Sequence, residues 1–259
     1  MLSYQHAYHA GNLADVHKHA LLAQALDYLT QKDKPLSYLE THAGRGLYDL
    51  SGAEAQKTGE AAQGISLVEQ WFGADHPYRR ALTAIREKHG PSAYPGSPLI
   101  AQTLLRDTDH IHLAELHPQE HAALHYTLSA AENTKVYQKD GFELAQSLCP
   151  PDPRRGLILI DPSWEVKDDY ATMPRFVGTL TKKWNVGIVM IWYPILTDPQ
   201  HKPMIAAIRD MHPDALIHEV AFPPARKGHR MIGSGMAILN PPWGLTDHAT
   251  ALTKRFKSL

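Results

Sequence analysis

The chain has 259 residues, 43% hydrophobic and 20% charged, a formal net charge of −1 and a single cysteine, Cys149. That length and apolar content suit one globular domain over 1–259. One cysteine excludes an intramolecular disulfide and cysteine-rich zinc sites, and with no signal peptide and no apolar run near the roughly 20 residues of a membrane span, a cytoplasmic protein is expected.

The near-zero charge speaks against a broad nucleic-acid-binding field, so any RNA contact must use local basic groups. Two clusters qualify, Arg226-Lys227-Gly228-His229-Arg230 and Lys254-Arg255-Phe256-Lys257. Either also reads as a solvated surface.

In chain order, residues 1–11 are polar-aromatic and without period. Asn12, with Asp15 three residues on, reads as a helix N-cap. The helix runs to about Leu29 with His19, Leu22, Leu26 and Leu29 on one face. A short strand then breaks into the turn Glu40-Thr41-His42-Ala43-Gly44-Arg45-Gly46. From Leu47 to Gly90 the pattern is helical. "YPGSPLIAQTLL" predicts another helix, with Ser97 as N-cap and Pro98 at its first position.

Strand-like runs recur at 111–115, 134–138, 157–160, 186–193, 215–222 and 231–240, most of them separated by helices such as 118–130 and 141–148. Alternation of this kind predicts a mostly parallel sheet covered on both faces. The short loop before the last strand predicts one antiparallel strand. Together these give an α/β, class I Rossmann-like methyltransferase fold with a seven-stranded sheet, an N-terminal helical extension and a small helical insertion. Ligands in such sheets sit beyond the carboxyl ends of the parallel strands.

Those ends carry the candidate cofactor residues. Gly44 and Gly46 permit a tight turn, but Asp49 stands where a dinucleotide fingerprint needs its third glycine. Glu115, at the next strand tip, can accept from two ribose hydroxyls. Asp140-Gly141-Phe142 follows the third strand, where Asp140 can accept from an adenine amino group and Phe142 can cover the purine. Each acid alone also reads as a helix N-cap.

The run "GLILIDPSWEV" aims Asp161 out of the fourth strand. The exocyclic nitrogen of adenine is a poor nucleophile, because its lone pair is delocalised into the ring. A site that methylates it needs acceptors for its hydrogens and a flat surface for the extruded base. Asp161 and the Pro162 carbonyl supply acceptors, and Trp164 a stacking face. A capped turn ending a buried strand is the bland alternative. The rival "NPPW", Asn240 to Trp243, follows the antiparallel strand and should emerge at the opposite edge. It reads as a structural stop with Trp243 packed on a helix.

The assembled motifs "MLSYQHAYHAGNLADVHKH", "KDKPLSYLETHAGRG", "YPGSPLIA", "ELHP", "QKDGF", "RRGLILIDP" and "NPPW" resemble, in order from Met1 to Trp243, the bacterial 23S ribosomal RNA adenine-N6 methyltransferase family RlmJ. The resemblance implies S-adenosylmethionine as cofactor and methylation of adenine 2030 on protein-free or partly assembled 23S rRNA. It implies cofactor contacts from His19, His42, Ser97, Glu115, Asp140, Gly141 and Asp161, with Tyr4 near the RNA. Alone, His19 reads as a core histidine and Tyr4 as an aromatic anchor. His17 and His19 point to different helix faces, so no metal site is expected. No obligatory protein partner is evident, and a monomer is expected. The resemblance also implies a helical insertion over about 47–93 between the first two strands, to which Arg79-Arg80 and Arg86-Glu87-Lys88 give either an RNA-facing or a merely wet side.

Two features depart from the family pattern. Asp-Pro-Pro-Tyr is here Asp161-Pro162-Ser163-Trp164, which keeps an aromatic but removes a proline lock on φ. Little chain follows Trp243. Two alternatives stay open on the sequence: an RNA-binding assembly factor whose altered loop has lost activity, and a methyltransferase with another acceptor, either DNA adenine or a glutamine amide.

Overall fold

The computed structural model describes residues 5–166, 168–226 and 228–259. Tyr4 and Lys227 therefore lie outside the described residues. A 3-10 turn, His6–Tyr8, leads into α1 (Leu13–Thr30) and β1 (Ser37–Glu40). The insertion follows as β2 (Leu47–Asp49), α2 (Ala53–Thr58), α3 (Glu60–Gln63), α4 (Ile65–Val68), α5 (Pro77–His89) and β3 (Ala93–Pro95). Next come α6 (Ser97–Leu104), β4 (His110–Ala114), α7 (Pro118–Thr127), β5 (Thr134–Tyr137), α8 (Gly141–Leu148) and β6 (Gly156–Ile160). The chain closes with α9 (Asp168–Lys183), β7 (Ile188–Leu196), α10 (His201–Met211), β8 (Leu216–Ala221), β9 (Met231–Leu239) and α11 (Leu245–Phe256).

Seven strands form one sheet in the order β5-β4-β1-β6-β7-β9-β8. The β5-β4-β1-β6-β7 pairings are parallel, and β9 runs antiparallel to both β7 and β8. This is the mostly parallel class I sheet with one antiparallel strand. All five residues of β6 are buried, as an interior parallel strand requires. They alternate between two cores: Leu157 and Leu159 join the layer holding α1, while Ile158 and Ile160 join the one holding α9 and α10.

Three expectations need correction. Leu47–Asp49 is a strand, paired antiparallel with Ala93–Pro95, so a two-stranded ribbon brackets the insertion's helices. Ser97 is the first residue of α6, and Gly96 is its cap, because the Ser97 hydroxyl is spent on Glu40. Trp243 packs on nothing extensive and is 84% exposed. Asn240 does emerge at the amino ends of the parallel strands, where its amide donates to the carbonyls of Asn185 and Gly187.

The Asn12 cap holds as read, its side chain accepting from the Asp15 N–H at 2.9 Å. Its helix does not show one apolar face. α1 lies among α5, α6, α11, β7 and β9 and is buried nearly all round, Asp15, His17, Lys18 and His19 included. Its polar groups must therefore find partners inside the protein. His17 does so in a chain. The Trp192 indole N–H donates to Ser234 Oγ at 2.9 Å, and Ser234 Oγ lies 2.8 Å from His17 Nδ1. His17 Nε2 lies 2.8 Å from His218 Nδ1, and His218 Nε2 2.7 Å from Thr253 Oγ1, whose hydroxyl donates to the Ala249 carbonyl. With an N–H at one end and a carbonyl at the other, one direction satisfies every member. It requires both histidines neutral and protonated on Nε2.

Burial, reinforced by His218, holds the His17 imidazole well below its usual range, and burial lowers His218 as well. Unfolding restores ordinary basicity, so the unfolded chain binds more protons as pH falls below about 6.5. Stability should be fully present above that pH and lost as the pH drops toward the depressed folded values. The urea midpoint should decline as the pH falls from about 6.5 to 5, where the imidazoles lowered by burial outnumber the carboxyls raised by it. A flat profile would contradict neutral buried imidazoles.

Candidate active site

Parallel strands deliver their following residues to one edge of the sheet, and there the structure forms a cavity of about 460 Å³. Ligand pockets run to about 300–1,000 Å³. His19, His42, Gly44, Ser97, Glu115, Asp140, Gly141, Asp161, Pro162 and Trp164 all line it. Among the candidate residues only Tyr4 cannot be placed.

Two glycines shape the wall for different reasons. Gly44 has φ +62°, and a Cβ there would lie 2.5 Å from the Tyr48 hydroxyl. Gly141 starts α8 so close to the end of β1 that a Cβ would sit 1.9 Å from the Thr41 carbonyl oxygen. Backbone is therefore brought up to the cavity at both places.

The acids at the strand tips are held by backbone. Glu115 accepts from the Gly44 N–H at 2.8 Å and the His117 N–H at 2.7 Å. Burial raises its carboxyl above the usual range, against those two bonds. Asp140 caps α8 by accepting from the Glu143 N–H at 3.0 Å through Oδ1. The capping role and the cavity position thus coexist. Beneath them Glu40 is 2% exposed, bonded by Tyr38 and Ser97, and burial pushes it up to about 8.

Both histidines are kept neutral by burial, His42 at about 4 and His19 at about 3. His42 Nδ1 lies 2.8 Å from Thr41 Oγ1, and its ring meets the edge of Phe142. His19 Nδ1 lies 2.9 Å from the Tyr94 hydroxyl, whereas its buried Nε2 has no hydrogen-bond partner among the described residues. A satisfied core histidine would leave no such atom in a cavity wall.

Asp161 follows β6 with its side chain 13% exposed. Its Oδ2 accepts from Lys18 Nζ at 2.6 Å, and Lys18 also pairs with Asp15 at 3.1 Å. Burial would raise the Asp15 carboxyl, but His6, Lys18 and His19 outweigh it and hold the group well below the usual range. Trp164 is 6% exposed, lies at φ +57°, and donates its indole N–H to the Trp192 carbonyl at 3.1 Å. Its ring packs on Tyr170 with centroids 4.5 Å apart. Left-handed backbone at an aromatic residue costs on the order of 1–3 kcal/mol, which these contacts offset. Lys18 Nζ also sits 5.6 Å from the Trp192 ring centroid, so Trp192 touches both sides of the Asp161 loop.

Sequence reasoning passed over Lys18, Asp15, His6 and Trp192, all of which line the cavity. The available signal was a lysine three residues after an acid in the first turns of a helix. That pattern ordinarily marks a wet surface.

Residues 33–258 match the family described as Ribosomal RNA large subunit methyltransferase D, RlmJ. The chain is 39% identical over 251 residues to Ribosomal RNA large subunit methyltransferase J of Escherichia coli (strain K12), covering 95% of this chain and 89% of that protein. It is 39% identical over 252 residues to the protein of the same name from Haemophilus influenzae (strain ATCC 51907 / DSM 11121 / KW20 / Rd), with the same coverage. A crystal structure of a Legionella pneumophila str. Philadelphia 1 protein superposes with a TM-score of 0.86 at 33% identity, covering 96% of this chain and 93% of that one.

Two substitutions probe the geometry. Gly141→Ala should lower unfolding free energy by about 1–3 kcal/mol, since backbone must move to admit the methyl group. Lys18→Met leaves two acids facing an emptied space and should cost roughly 3–5 kcal/mol. Chemical denaturation measures both, and a neutral Gly141→Ala would show that the α8–β1 approach is looser than described.

Proposed function

The chain belongs to the RlmJ family of large-subunit ribosomal RNA methyltransferases, and from that premise we propose that it methylates the exocyclic N6 of an adenosine in 23S rRNA, using S-adenosylmethionine. By resemblance the target is adenine 2030, on protein-free or partly assembled RNA. The observation that carries this reading is Asp161 beside the glycine-walled cavity. Among the described residues Lys18 is its one hydrogen-bond partner, on Oδ2, which leaves Oδ1 for a substrate.

The cavity fits the cofactor. Gly44 and Gly141 keep backbone where a side chain would intrude, and His19 Nε2, 3.9 Å from Asp15 Oδ1, offers a buried polar atom with no hydrogen bond among the described residues. Glu115 would take the ribose hydroxyls, Asp140 the adenine amino group, and His42 with Phe142 the purine face. Bound there, S-adenosylmethionine supplies an electrophilic methyl group on a sulfonium.

The chain's own residues orient the acceptor. Asp161 Oδ1 and the Pro162 carbonyl take the two amino hydrogens, turning the nitrogen lone pair out of conjugation. Lys18, fixed between Asp15 and Asp161, keeps the carboxylate from rotating away. Asp161 Oδ1 is also placed to receive the proton the amino group sheds. Trp164 limits the space behind the base. Orientation and fixed charges of this sort supply most of the rate in such sites.

Asp161→Ala should reduce methylation of protein-free 23S RNA by at least about 10²-fold, while calorimetry still detects S-adenosylmethionine binding. Turnover like the wild type would remove Asp161 from the reaction. Ser163→Pro restores the family's second proline. A wild-type protein without activity that gains it on this change would instead identify a non-catalytic RNA-binding factor.

A further inference from the structure

The two basic clusters lie about 25 residues apart in sequence, and the base of the loop that carries the first is anchored beside the second. The loop after β8 begins at Phe222, whose ring lies 6.1 Å from that of Phe256, the residue between Arg255 and Lys257. α11 starts at the amino ends of the parallel strands and returns with its last turn at the carboxyl ends, beside Phe222. From there the loop runs to the cavity, where His229 and Met231 form part of the lining. His229 also lies near enough to Glu60, in the insertion, to help lower that carboxyl.

The charges on this path are unspent. Arg226, Arg230, Lys254, Arg255 and Lys257 are exposed, and among the described residues none makes an ion pair. The insertion's arginines differ. Arg79 and Arg86 both pair with Glu69, and Arg80 pairs with Asp27. Lys254 and Arg255 complement the C-terminal end of the α11 dipole. That role explains neither the loop arginines nor the anchoring of their loop beside the last turn of α11. In a chain of net charge −1, a row of unpaired cations ending at a cavity is a local anion-binding track.

We infer that the β8–β9 loop and the last turn of α11 form one phosphate-binding track, which grips the RNA backbone beside the target nucleotide. This rests on the ribosomal RNA reading above and adds where the polynucleotide lies. Contacts to phosphates position a strand without reading its sequence, and each releases counterions, with a slope of about 0.7 per contact in single strands.

The test is filter binding of a 23S RNA transcript at several salt concentrations, with two double variants, Arg226→Ala/Arg230→Ala and Arg255→Ala/Lys257→Ala. Each pair should weaken binding at 0.1 M salt by on the order of tenfold and flatten the plot of log affinity against log salt by about 1.4. The matching changes of Arg226 and Arg230 to lysine should keep the wild-type slope, which a merely structural role would not predict. Thermal melting checks that the variants fold. A wild-type slope in either pair would overturn the track, since a single responding cluster is not one surface. Wild-type protein that neither binds nor methylates the transcript would overturn the ribosomal RNA reading itself. Normal wild-type methylation with unchanged slopes in the variants would remove the track alone.

Discussion

The ion pair between Lys18 and Asp161 ties the amino-terminal helix to the tip of the central strand, and the site is organised around it. Both groups are largely removed from water, and burying an ammonium and a carboxylate costs several kcal/mol each before they meet. The pair is tolerated because the Lys18 ammonium has a second carboxylate beside it. Lys18 is shared with Asp15, and Asp15 is held in turn by His6 and by the Gly11 N–H. A carboxylate fixed this way cannot rotate freely. That is what a site needs when its task is to aim a delocalised lone pair.

The glycine walls serve the same end. Gly141 lets α8 begin against Thr41, and Gly44 lets the loop after β1 donate its N–H to Glu115. Strand tips and helix starts are drawn within hydrogen-bond reach of one another, so Glu115 and Asp140 are held by backbone rather than by long side chains. Trp192 links this region to the far side of the sheet. Its carbonyl holds Trp164, its ring lies under Lys18, and its indole N–H begins the hydrogen-bond chain through Ser234, His17 and His218 to α11. The left-handed backbone at Trp164 persists because the surrounding packing determines it.

The same topology that gathers the acids separates the two proline motifs. A strand parallel to its neighbours sends Asp161 to the cavity edge, and an antiparallel strand sends Asn240 to the other, where it caps the carbonyls of Asn185 and Gly187. The closer literal match to a catalytic motif is thereby a turn, and the altered "DPSW" occupies the cavity.

Much of this was legible in the chain. Alternating strands and helices gave the sheet, the short final loop gave β9 its direction, and acids after successive strands marked the cavity edge, because these signals are local in sequence. The roles of Lys18, Asp15 and His17 were not legible. They sit on a helix whose burial comes from distant parts of the chain, and no pattern within eighteen residues records what will be packed against it. Likewise Ser97 lost its capping role to a partner 57 positions away, and the loop carrying one basic cluster is anchored beside the other through the contact of Phe222 with Phe256. Periodicity and turn chemistry decide which way a segment points. Desolvation and pairing of polar groups depend on what arrives from elsewhere, and only the tertiary structure decides that.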